Sequence, residues 1–63
     1  MNFDDLRADA DRAIAAFRAA VASLDGQFDN TALYVKVDLG HVITNLERGR
    51  MLLDHTEQIY AKR

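Results

Sequence analysis

The 63-residue chain contains no cysteine, no proline and no tryptophan, and only three glycines. Without cysteine it can form neither disulfides nor thiolate zinc sites, the usual reinforcements of a small fold. Without proline, nothing forces a break anywhere along its length. No apolar run approaches the ~20 residues of a membrane span, so no membrane partner is expected. The opening Met1-Asn2-Phe3-Asp4-Asp5 is acidic where a secretory signal is basic, which points to a cytoplasmic protein. Ten acidic residues against eight basic ones leave a net charge of −2, so neither nucleic acid nor an anionic surface is favoured electrostatically. What the chain does have is 49% hydrophobic residues, enough to argue folding over disorder. Its length allows a single domain, 1–63. A chain this short buries only about 60% of its unfolded surface, so tight helix packing or association is needed to hold it.

From Phe3 to Leu24 apolar residues recur at Phe3, Leu6, Ala10, Ala13, Phe17, Ala20 and Leu24, a 3-4 alternation that predicts an amphipathic helix over about 3–25. Alanine is abundant there and favours the helix, Asp4 and Asp5 suit its positive end, and Gly26 offers a left-handed stop. A second seam runs through Val35, Leu39, Val42, Leu46, Gly49, Leu53, Thr56 and Tyr60, predicting a helix over about 31–61. Asn30 or Thr31 can cap its start, and Lys62 and Arg63 suit its end. The segment 33–39 alternates with period two and also reads as a short strand. The continuous helix is preferred, because the seam crosses Gly40 in phase and a lone strand has no partner.

These features predict an all-α, antiparallel two-helix hairpin of coiled-coil type. A common register pairs Leu24 with Val35, Ala20 with Leu39, Phe17 with Val42, Ala13 with Leu46, Ala10 with Gly49, Leu6 with Leu53 and Phe3 with Thr56, and it places the turn in the polar stretch 25–30.

Two helices cannot enclose a core, so the apolar residues left over mark the expected interface. In this register they are Ile14, Val21 and Ile43 on one flank and Leu52 and Ile59 on the other, with Tyr60 projecting past Phe3. Assembly of a homodimer into a four-helix bundle, with Ile14, Val21 and Ile43 at the two-fold axis, is the simplest cover for them; a partner protein is the other. Charges sort into an acidic row, Asp4, Asp11, Arg18 and Asp25, and a basic row, His41, Arg48, His55 and Lys62. These are ordinary solvated faces or rows that set the orientation of an interface.

Chemistry is sparse. Ser23 has no histidine within helical reach, and Asp38 with His41 has di-metal spacing but no second ligand set on the same face. No catalytic residue, metal or cofactor is expected. Arg48, Arg50, Lys62, Arg63 and Tyr60 do not share one stripe, so binding of RNA or DNA by a dimeric hairpin is the secondary expectation. The primary one is a small non-enzymatic protein–protein interaction module, either self-associating or capping a partner as a chaperone, inhibitor or accessory subunit. An alanine-, arginine- and aspartate-rich first half suggests a GC-rich bacterial or phage genome.

Overall fold

The computed structural model describes residues 2–62. Arg63, read above as part of the second helix's basic end, lies outside them. Two helices, α1 (Phe3–Ala22) and α2 (Asn30–Ala61), pack antiparallel into the predicted hairpin. The segment 33–39 is helical throughout, and α2 passes through Gly40 and Gly49 without interruption.

Both starts are capped by side chains. Asn2 Oδ1 accepts the Asp5 N–H at 3.2 Å, satisfying an amide that has no helical partner. Asp29, in extended conformation, does the same for Ala32 at 3.3 Å, so the cap of α2 lies one residue ahead of Asn30. The first helix stops at Ala22, three residues short of the expected end. There the chain tightens: Leu24 and Asp25 donate to the carbonyls of Val21 and Ala22 at 3.0 and 3.1 Å, and Gly26 then turns it with φ +85°. Such a left-handed position costs any other L-residue about 1–2 kcal/mol.

The helices are unequal. Their 20 and 32 residues correspond to about 30 and 48 Å of rise. Phe3 and Tyr60 lie side by side at the open end, ring centroids 5.7 Å apart and planes tilted by 56°. The surplus length of α2 therefore falls at the loop end, where Tyr34 and Val37 stand exposed. This also corrects the register. Phe3 meets Tyr60 instead of Thr56, so α2 lies about one turn further along α1 than the apolar pairing predicts, and Tyr60 does not project past Phe3.

The seam is rotated as well. The buried and half-buried positions of α1 are Phe3, Arg7, Ala10, Ile14, Phe17, Val21 and Leu24 of the following turn, with Ala13 at the margin. On α2 they are Ala32, Lys36, Leu39, Ile43, Leu46, Arg50, Leu53 and Glu57, with Thr56 at the margin. Five of the seven predicted seam positions of α1 and four of the eight of α2 are retained. The others, including Leu6, Val35, Val42 and Gly49, have turned outward. Among the described residues only Ile14 and Ala32 are buried, and neither completely. A Cβ at Gly49 would meet nothing within 4 Å, so this glycine does not permit a close approach to Ala10.

Three stability changes follow. Gly40 is helical and open, so Gly40→Ala should stabilise the chain by about 0.5–1 kcal/mol, whereas Gly26→Ala should destabilise it by about 1 kcal/mol, both read by thermal denaturation. Ile14→Ala should cost about 2–3 kcal/mol, because Ile14 is the largest side chain the hairpin buries.

Candidate functional site

The rotation gives the hairpin two unlike flanks. On the first, every cross-helix ion pair seen among the described residues is found. Arg18 reaches Glu47 at 2.7 Å, and Asp11 accepts from Arg50 Nε at 3.0 Å. Arg50 also holds Asp54 at 3.0 Å, and Asp54 receives Arg7 Nε at 3.0 Å. Arg7 completes the chain by pairing with Glu57 and, at 2.7 Å, with Asp4. Asp11, Arg50, Asp54, Arg7, Asp4 and Glu57 thus form one continuous network that bridges the helices.

Arg7 and Arg50 occupy seam positions that a purely apolar reading passes over. Both side chains are mostly covered, and each guanidinium reaches a carboxylate of the other helix on this flank. The electrostatics follow from this. Hydrogen bonds from Arg7, then Arg50, hold the Asp54 carboxyl below its usual range. The same contacts with Asp54 and Glu57 raise the Arg7 pKa, and Asp11 does so for Arg50. All of these groups touch water, so the network is open to screening by salt. It engages the acidic row of α1 with Arg50, not with the row His41, Arg48, His55 and Lys62, which faces solvent along α2.

The opposite flank is nearly uncharged. Heptad geometry places Leu6, Ala13 and Ala20 of α1 there, beside Val35, Val42, Gly49 and Thr56 of α2, with Asp38 as the carboxylate among them. Leu52 and Ile59 extend it outward, and both are more than half exposed. Of the residues predicted to form an interface, Leu52 and Ile59 therefore lie where a partner can reach them, and Tyr60 is half exposed on Phe3. Ile14, Val21 and Ile43 do not form an uncovered flank. They sit in the shared seam, Ile14 buried and the others half-buried, because the arginine stems draw the helices together on that side.

Among the described residues no pocket is enclosed and no three His, Asp or Glu side chains converge on a possible metal position. Among the described residues no helix is long and apolar enough to cross a membrane. The distinguishing property is surface. A compact monomer of 7.1 kDa exposes about 4,100 Å². This chain exposes 4868 Å², in an elongated body of 52 × 15 × 12 Å.

Because the Asp54 pKa is depressed by folding, its contribution is present at neutral pH and lost as pH falls through its folded value, below the ordinary carboxylate pKa of about 3.9. Asp54→Asn should therefore lower Tm at pH 7 and shrink the difference in Tm between pH 7 and pH 3, as read by circular dichroism. Comparison with protein-family models, curated proteins and solved structures yields no match to this chain.

Proposed function

We propose that this chain works by protein association, without catalytic chemistry: it is an open hairpin completed by a further helical surface. The observation that carries this reading is the surface excess of about 800 Å² over a compact monomer, which equals one partner's share of a standard interface. Leu52 and Ile59 on the uncharged flank, and Phe28, Tyr34 and Val37 around the loop end, are all more than half exposed. Burying one such side chain is worth about 1.5–3 kcal/mol, a large fraction of what so small a fold can muster.

A role as a chaperone, inhibitor or accessory subunit fits this surface, as does self-association. Binding of RNA or DNA draws less support from the charges. Arg7, Arg12, Arg18 and Arg50 are each paired with a carboxylate, and the solvent-facing row of His41, Arg48, His55 and Lys62 holds one arginine and one lysine.

Thermal unfolding over a hundredfold dilution series provides the test. Association predicts a Tm that falls with dilution. A sharp, cooperative transition at the same temperature throughout, with no binding of a hydrophobic dye, would overturn the reading.

A further inference from the structure

Resting on the association reading, we infer that the occupant of the uncharged flank is a second copy of this chain, with the two α2 helices antiparallel about a two-fold axis near Glu47. The flank of α2 carries its own 3-4 repeat: Val35, Asp38, Val42 and Asn45, then Gly49, Leu52, Thr56 and Ile59. Heptad spacing puts all eight on one stripe. Thr56, nearest the seam, is half-buried; the others are exposed.

Read backwards, this repeat matches itself. In an antiparallel pair, inner and outer positions of the stripe alternate in each layer. Val35 then meets the partner's Ile59, and Val42 meets the partner's Leu52. Between them Asp38 meets the partner's Thr56, whose hydroxyl can donate to the carboxylate, and Asn45 meets the partner's Gly49. Apolar side chains fall on apolar ones and polar on small or polar ones, in every layer and in both halves of the dimer. This is the self-complementarity that an isologous interface requires.

The rest of the hairpin agrees. The pair Arg18–Glu47 fixes which part of α1 is level with the axis, and there α1 offers Ala13, Ala16 and Ala20, small enough for two bundled α1 helices to approach. The charged flank is a poor alternative, because its many carboxylates and arginines would lose water on pairing with a copy of themselves. The surface excess of about 800 Å² per chain is what a standard dimer buries on each side. The axis thus passes beside Asn45 and Gly49, not Ile14, Val21 and Ile43.

The test combines solution mass with register. Light scattering of the intact chain should give twice 7.1 kDa. Val42→Arg should reduce that mass twofold, whereas Met51→Arg, at a more exposed position outside the stripe, should leave it unchanged. The double variant Val42→Cys/Leu52→Cys should oxidise to a covalent dimer joined between position 42 of one chain and position 52 of the other. Ten residues apart on one helix, the two sites lie ~15 Å from each other and cannot bond within a chain. A dimer that survives Val42→Arg, or that links 42 to 42, overturns the inference and leaves the association reading standing. A monomer lacking a cooperative transition overturns the second copy in favour of a different protein. A cooperatively folded monomer at every concentration overturns both.

Discussion

Two helices in contact can hide one stripe each, and no more. Everything else in this molecule follows from how its stripes are divided. The apolar band on each helix is wider than one neighbour can cover, and the hairpin uses only part of it. Part of the remainder, Leu52 and Ile59 with Val35 and Val42, is left on one flank, while the ion pairs gather on the other.

That division is made by arginine. Arg7 and Arg50 sit in the seam, where leucine or isoleucine would have centred the helices on their apolar bands. Their long stems still pack, but their charged ends need Asp11, Asp54 and Glu57, and all of these lie to one side. Each helix is consequently turned toward the carboxylates. Electrostatics of this exposed kind adds little to stability. The pairs accompany a rotation of the helices that buries Ile14 and leaves Leu6 and Val42 outside.

Much of this was legible in the residues and some was not. The helices, their antiparallel pairing, the continuity through Gly40 and the left-handed Gly26 are local properties, set by propensity, periodicity and the absence of proline. Phe3, Ala10, Phe17, Leu39, Leu46 and Leu53 were assigned correctly to the seam because they are apolar and lie inside it. Lys36, Arg50 and Glu57 were missed because a search for hydrophobic periodicity scores a charged side chain as outward-facing, whatever its stem does. A search for opposite charges recurring at seam spacing on both helices would have found Arg7 with Glu57. The one-turn slip has a similar origin. Matching apolar positions fixes phase but not height, and the ring contact between Phe3 and Tyr60 sets the height.

The same contact has a consequence for anything joined to this chain. With Phe3 beside Tyr60, the two ends emerge together from one pole of the rod, and the loop stands alone at the other. A segment appended at either end therefore starts from the same place and leaves the loop end clear. In the antiparallel dimer inferred above the poles alternate, so attached segments would depart in opposite directions from ends ~40 Å apart. The assembly would act as a short strut, holding whatever it carries at a set distance.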